Sequence, residues 1–233
     1  MIFIVNKSFM KLLITEKQYK KIFEAKIEGF RVDYLSSCST YDEMIIYCKK
    51  MLGEPIGVGS SRIVFQIDDE TCLKLAKNNA GIAQNKEEIN VGLNSGLTCV
   101  PKIFNGSDVK NGIWVISEYV LPAEKGDFRK VFGIKFDDVC AFCLHLQGTN
   151  NNFLSDFHKK CVKDIFDDYS WCVNGTKLLK EIAFLYDNYN SLVNDLANIN
   201  NWGLCRRNRK TYMVMLDAGC SVDIFKKYYG IRF

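Results

Sequence analysis

The chain has 233 residues, of which 48% are hydrophobic and 25% are charged, and this composition fits one compact unit or two small lobes of a soluble globular protein. Its formal net charge of +4, from 31 basic and 27 acidic residues, is too small to favour a nucleic-acid partner. The opening MIFIV lacks the features of a secretory signal, and no stretch reaches the ~20 apolar residues of a membrane span, so we expect a cytoplasmic protein with no membrane partner.

Residues 1–50 are predicted to form a helical N-terminal extension. Thr15–Gln18 fits a capping box before residues with helical spacing, and Thr40–Glu43 repeats this signal before a second apolar stripe. Gly53 is a suitable end for the second helix. No chemistry is visible in either predicted helix.

From residue 54 to residue 77 the pattern changes to short strands with a glycine-containing loop at their joint. Gly57 and Gly59 would let the backbone approach a phosphate closely, and the neighbouring Ser60 and Ser61 belong to the same loop. Glycine pairs also occur in ordinary hairpins, so this segment alone does not decide between a turn and a phosphate site.

Lys74 lies in the otherwise apolar strand LKLA, where a lysine must point to solvent or meet a partner. It lies 15 residues after Gly59, on the strand that follows the glycine loop. The next segment, AGIAQNKEEINVGL, is predicted to be a helix that brings Glu87 or Glu88 to this lysine. We prefer Glu88, because it shares a helix side with apolar neighbours. The alternative is a lysine that is simply an edge-strand charge.

Residues 112–120 (GIWVISEYV) are predicted to be a buried strand that ends at Glu118, and residues 128–194 are predicted to be mostly helical. His145 and His158, the only histidines, stand beside no candidate nucleophile. We therefore interpret both as structural residues.

The ten cysteines are scattered along the chain. Cys140 and Cys143, with His145 nearby, resemble half of a zinc site, but Cys161 and Cys172 stand eleven residues apart and do not supply a second close pair. Because the chain is neither small nor visibly secreted, we predict buried thiols in place of disulfides or zinc.

Near the C-terminus the sequence LVNDLANINNWGL is followed by a basic hairpin, CRRNRK, and then by YMVMLDAGCS. The apolar residues 213–216 form a predicted strand that delivers Asp217, and Gly219 allows the turn after it. A carboxylate at the end of a buried strand is costly unless it binds a metal or a cation, so Asp217 is a candidate metal ligand.

This ordered set resembles the protein-kinase-like superfamily, and in particular the compact kinase-like proteins of phages and bacteria. The residues that carry the resemblance are the glycine loop Gly57–Phe65, Asp195-Leu196 with Trp202-Gly203, and Leu216–Gly219. The match spans about residues 52–220. The resemblance implies that the protein is located in a bacterial or host cytoplasm.

The resemblance implies an α+β, two-lobed fold with a small antiparallel sheet in the N-lobe and a shortened, mostly helical C-lobe. We place the boundaries at 1–50 for the extension, 51–120 for the N-lobe and 121–233 for the C-lobe. Only fourteen residues follow Gly219, so we expect no activation segment and no peptide-substrate platform.

The resemblance also implies a role for each site residue, with ATP and Mg²⁺ as cofactors. Lys74 would contact the phosphates and Asp195 would act as the catalytic base. The glycine loop, Glu88 and the backbone from Glu118 to Val120 would bind the nucleotide. The metal ligands would be Asp217 and Asn200, with Asn201 as the alternative to Asn200.

The chain departs from the superfamily pattern before and after Asp195. The usual His-Arg is Val193-Asn194, and the usual cation two residues later is Ala197. Ala218 also replaces the phenylalanine of the Asp-x-Gly loop. Two function classes therefore stand: an ATP- and Mg²⁺-dependent phosphotransferase that acts on a serine/threonine or atypical acceptor, either protein or small molecule, and a pseudokinase that engages a protein partner without phosphoryl transfer.

Overall fold

The computed structural model describes residues 2–7, 10–15, 30–149, 155–208, 210–219 and 221–230. Its strands are β1 (Ile2–Lys7), β2 (Met10–Thr15), β3 (Gly57–Val58), β4 (Arg62–Gln66), β5 (Thr71–Ala76), β6 (Trp114–Glu118), β7 (Leu121–Pro122), β8 (Trp202–Arg207) and β9 (Lys210–Met215). Its helices are α1 (Tyr41–Leu52), α2 (Asn79–Asn94), α3 (Lys125–Phe132), α4 (Phe136–Thr149), α5 (Ser155–Asp168), α6 (Val173–Tyr189), α7 (Val193–Leu196) and α8 (Val222–Tyr229). The predicted α+β class, a small antiparallel sheet followed by a mostly helical region, is confirmed.

The prediction of a helical segment over residues 1–50 is wrong for its first part. Strands β1 and β2 pair in antiparallel fashion, from Ile2 opposite Thr15 to Lys7 opposite Met10. Both stretches are rich in Ile, Leu, Phe and Val, and β-branched and aromatic residues favour strands. The helix predicted to begin after Thr15 lies outside the described residues.

The second predicted N-terminal helix is confirmed as α1. The Thr40 hydroxyl accepts a hydrogen bond from the Glu43 N–H at 3.2 Å, and the Glu43 carboxylate accepts one from the Ser39 N–H at 2.6 Å. Gly53 ends the helix with φ of 90°, a conformation that glycine adopts without strain. The capping residues predicted from sequence therefore fix this helix.

The N-terminal sheet has the order β3-β4-β5-β6, with every neighbouring pair antiparallel. One of its faces packs with α1 in a hydrophobic core that includes Leu35, Phe65 and Leu73, all 0% exposed. The strand registers place Val64 opposite Lys74, and Lys74 opposite Val115. Helix α2 follows β5, and its N-cap is Asn78, whose side chain accepts from the Gly81 N–H.

The helical part of the chain has a separate and larger core. Its fully buried side chains include Phe128, Phe142, Leu185 and Trp202, which come from α3, α4, α6 and β8. The three-stranded sheet β7-β8-β9 joins this core to the segment that follows β6. Among the described helices, none combines the length and apolar character that crossing a bilayer requires.

Candidate functional site

A cavity of about 250 Å³ lies where the N-terminal sheet meets the segments 118–122 and 216. It is lined by Ile56, Gly57, Val64, Cys72, Lys74, Pro101, Glu118, Tyr119, Val120, Pro122 and Leu216. Four residues predicted from sequence to bind a nucleotide, namely Gly57, Lys74, Glu118 and Val120, are among them. The fold thus brings these parts to one cavity although they are up to 63 positions apart in the chain.

Lys74 and Glu88 form a buried ion pair beside this cavity. Lys74 Nζ lies 2.5 Å from Glu88 Oε1, and the two side chains are 8% and 1% exposed. Lys74 Nζ also donates to the Leu216 carbonyl oxygen at 2.7 Å, directly before Asp217. The preference for Glu88 over Glu87 as the partner of Lys74 is confirmed. Burial and then the charge of Asp223 raise the pKa of the neighbouring Glu87.

Arg62 is a second buried cation in this cluster, and the sequence analysis did not single it out. Its Nη1 lies 2.6 Å from Glu88 Oε2 and 3.2 Å from Asn85 Oδ1. Its Nη2 lies 2.6 Å from Asp217 Oδ1. Arg62 therefore connects the glycine loop with α2 and with the Asp-x-Gly loop.

The carboxylate of Asp217 is held by an ion pair with Arg62 and is partly exposed. Oδ1 is buried and pairs with Arg62, although no hydrogen bond with suitable angles reaches it from the described residues. The side chain as a whole is 36% exposed. Burial would raise the pKa of Asp217, but the charges of Arg62 and Lys74 and the Gly219 N–H hold that pKa below its usual value. Asp217 is therefore ionised at neutral pH.

Asp195 lies in α7 and is braced by Asn201. Asn201 Nδ2 donates to Asp195 Oδ1 at 3.2 Å and to its carbonyl oxygen at 3.3 Å. The Asn201 carbonyl accepts from the Leu216 N–H at 2.7 Å, so Asn201 stands next to the Asp217 loop. The side chain of Asn200 is exposed, and its N–H donates to Asn198 Oδ1. Of the two asparagines, Asn201 is therefore the one that bonds both to Asp195 and to the residue before Asp217.

The glycine loop is closed on itself and on α2. The Gly59 N–H donates to the Arg62 carbonyl at 2.8 Å, and Lys77 Nζ donates to the Gly59 carbonyl at 2.9 Å. Ser61 is buried and its hydroxyl donates to Gln84 Oε1 at 2.6 Å. It therefore braces α2, whereas the sequence analysis had assigned it to a phosphate. Ser60 is exposed at the tip of the loop.

At the segment 118–120 the carboxylate of Glu118 has a structural role. It accepts from Arg207 Nε and Nη2, the latter at 2.6 Å, and Arg207 also donates to the Thr98 and Val100 carbonyls. The Glu118 N–H donates to the Lys102 carbonyl at 2.9 Å. The Glu118 backbone carbonyl accepts from the Cys72 thiol at 3.7 Å, and both residues line the cavity.

The polar residues fit a Mg²⁺ ion that is bound together with phosphates. The described residues contain no group of three or more His, Cys, Asp or Glu that could hold a metal ion. Mg²⁺ sites in phosphoryl-transfer proteins commonly use one or two carboxylates together with substrate phosphates. One partly exposed carboxylate, Asp217, whose preceding residue Leu216 bonds to the Asn201 backbone, corresponds to such a partial site.

Cys72 lines the cavity, whereas the two histidines and Cys143 lie in the helical part of the chain. His145 Nδ1 and His158 Nδ1 are 3.0 Å apart between α4 and α5, and burial together with His158 lowers the pKa of His145. Cys143 is fully buried, and burial raises its pKa to about 12. A thiol with so high a pKa is not a nucleophile at neutral pH.

The alternation of β4, together with its register against β5, explains why Arg62 lies on the side of Lys74. Opposite residues of antiparallel strands point to the same face, and Val64 is paired with Lys74. Arg62 is two residues before Val64, so strand alternation places it on the face of Lys74. A cation on this face needs an anionic partner, and Glu88 and Asp217 supply it.

The approach between the Asp-x-Gly loop and α2 gives a first prediction. A Cβ at Gly219 would lie less than 3.0 Å from the Gln84 carbonyl oxygen, which is backbone and cannot turn away. We expect Gly219→Ala to lower the free energy of unfolding by about 1–3 kcal/mol, as overpacked sites do, measured by urea denaturation. Gly126→Ala is the control, because no atom lies within 4 Å of its Cβ. Equal stability of the two variants would contradict the close packing.

Comparisons with known proteins add little to this geometry. No family model matches the chain, and no curated protein matches it. Among solved structures, the streptomycin–ATP–APH(2")-IIa ternary complex matches 76% of this chain and 70% of that chain, at 15% sequence identity and a TM-score of 0.34. At this TM-score the likeness supports no functional conclusion. A functional proposal therefore has to rest on the cavity and on the charged residues beside it.

Proposed function

We propose that the protein is an ATP-dependent phosphotransferase of the protein-kinase-like type. The observation that carries the proposal is the buried Lys74–Glu88 pair at 2.5 Å, beside a cavity walled by the glycine loop and the segment 118–122. A buried lysine held by a helical carboxylate is suited to the α- and β-phosphates of a nucleotide. The ion pair fixes the position of Nζ before the ligand arrives.

The apolar walls of the cavity suit the adenine ring. Ile56 and Val64 come from the N-terminal sheet, while Pro122 and Leu216 come from the other part of the chain. The carbonyl of Glu118 and the N–H of Val120 are the backbone groups that we assign to the adenine edge. Gly57, Gly59 and Ser60 are assigned to the phosphates. The Gly59 N–H donates to the Arg62 carbonyl and has to break this bond before it can bind a phosphate.

Asp195 is assigned to the acceptor hydroxyl. As the new P–O bond forms and the bond to the β-phosphate oxygen breaks, the hydroxyl proton passes to the Asp195 carboxylate. Asn201 keeps this carboxylate in place through its bonds to both Oδ1 and the carbonyl of Asp195. Asp217 and Asn201 would hold Mg²⁺, which when bound neutralises charge that develops on the phosphates.

A binding module without phosphoryl transfer is the second candidate, and one observation favours it. The Arg62–Asp217 ion pair neutralises the charge of the carboxylate that would otherwise bind a metal. In this case the cleft would bind a nucleotide and the protein would act by engaging a protein partner. If the protein is instead an enzyme, the acceptor of the phosphoryl group is a protein or a small molecule.

Thermal unfolding with ATP and Mg²⁺ tests nucleotide binding. A ligand at 100 times its Kd stabilises the folded state by about 2.7 kcal/mol, which corresponds to about 5–10 °C in Tm for a chain of this size. We expect this rise in the wild type and its loss in Lys74→Met, where Glu88 still pairs with Arg62. Lys110→Met removes an exposed lysine and should leave the rise intact. An unchanged Tm of the wild type at saturating ATP and Mg²⁺ rejects the proposed function.

A further inference from the structure

Arg62 occupies an unusual place for a residue of a phosphate-binding loop. Its side chain is only 8% exposed and turns inward, away from the loop tip. Two ion pairs at 2.6 Å hold it, one to Glu88 Oε2 and one to Asp217 Oδ1. The guanidinium thus touches the carboxylate that we assign to the metal.

The four charges of this cluster, three of them buried, balance without a metal ion. Arg62 and Lys74 are cations, and Glu88 and Asp217 are anions, all joined by contacts of 2.5–2.6 Å. Without Arg62 the cluster would hold one cation and two carboxylates, and bringing phosphates to it would require a further cation. A divalent ion at Asp217 has to compete with a guanidinium that is already in contact with Oδ1.

We propose that Arg62 takes over, at Asp217, the charge-neutralising role of a divalent cation, so that the cleft keeps most of its affinity for a nucleoside diphosphate without metal. The inference rests on the proposed nucleotide binding and adds its metal dependence. Lys77 supports it, because its Nζ lies 2.9 Å from the Gly59 carbonyl and adds a third cation at the loop. Arg62 is then a positioning residue, which acts on the nucleotide through Asp217.

The test begins with the wild type, so it does not depend on a variant that folds. The Kd of ADP is measured by calorimetry with saturating Mg²⁺ and again with EDTA. We expect the two values to differ by less than about tenfold, or 1.4 kcal/mol. If ADP binds only with Mg²⁺, or if the difference is tenfold or more, the inference is rejected while the proposed function stands. If ADP binds in neither condition, the proposed function is rejected and the inference with it.

Variants at Arg62 test whether its charge is the reason that ADP binding needs little Mg²⁺. In Arg62→Gln, Asp217 loses its counter-ion, and we expect the ratio of the two Kd values to rise at least tenfold over the wild type. Arg62→Lys keeps the charge and should retain the wild-type ratio. Arg206→Gln is the control: it removes an exposed arginine and should leave the ratio of the two Kd values unchanged. A wild-type ratio in folded Arg62→Gln overturns the inference.

A metal titration gives a readout that needs neither nucleotide nor activity. Binding of Mn²⁺ alone, followed by electron paramagnetic resonance, should be at least tenfold tighter in Arg62→Gln than in the wild type. The order of magnitude follows from the effect of a neighbouring opposite charge on a carboxylate, which changes its proton affinity about 10–10³-fold. Adding Asp217→Asn to Arg62→Gln should abolish the gain. Equal Mn²⁺ affinity in Arg62→Gln and the wild type contradicts the role of Arg62.

Discussion

Glu88→Gln is expected to lower the free energy of unfolding by about 3–5 kcal/mol, the effect of removing one partner from a buried ion pair. The glutamine keeps the shape of the side chain but leaves Arg62 and Lys74 to share the single carboxylate of Asp217. The Glu88 side chain is 1% exposed, so water cannot compensate for the negative charge that the variant removes. Chemical denaturation at pH 7 measures the change.

Two further variants separate the charge effect from a general loss of packing. Glu54→Gln breaks the exposed pair with Lys49, in which Glu54 is 83% exposed, and should change stability by less than about 1 kcal/mol. Adding Arg62→Gln to Glu88→Gln removes the surplus cation, so the double variant should lose less than the sum of the two single losses. Strict additivity, or a loss below 1 kcal/mol in Glu88→Gln, would show that the four charges do not act as a network.

Asp195→Asn is expected to reduce phosphoryl transfer by about 10²-fold or more, since a positioned acid–base group typically contributes 10²–10⁴. The measurement uses radiolabelled ATP with Mg²⁺ and follows autophosphorylation and ATP hydrolysis. Because Asp195 is assigned to the acceptor hydroxyl, the rise in Tm with ADP should be nearly unchanged. Asp187→Asn, an exposed carboxylate of α6, is the matched control and should retain full transfer.

The same variant distinguishes the two function classes. A binding module transfers nothing, so Asp195→Asn would leave its biological effect intact. The comparison requires folded protein, because Asn201 bonds to Asp195 and the loop depends on this contact. If the folded variant binds ADP and retains its full effect, the phosphotransferase assignment must be dropped.

The sequence by itself determined the parts whose signals are local. The strands around the glycine loop, the helix after β5 and the cap of α1 follow from runs of residues, and the structure contains them at the expected places. Lys74 and Glu88 could be paired in advance, because a lysine in an apolar strand needs a partner and the next helix offers a carboxylate. The exception is the N-terminal hairpin, because its apolar runs are too short for their hydrophobic periodicity to distinguish a strand from a helix.

Only the tertiary structure decided which polar groups of the loops meet. Ser61 turns to Gln84, Asn201 braces Asp195, and Arg62 joins Glu88 to Asp217, over separations of 6 to 155 positions. Each of these side chains could equally have pointed to solvent from its own segment. What fixes them is burial, because a polar group removed from water must find a partner among whatever the packing of distant segments brings near. That selection depends on the whole fold, and a reading of one segment at a time does not contain it.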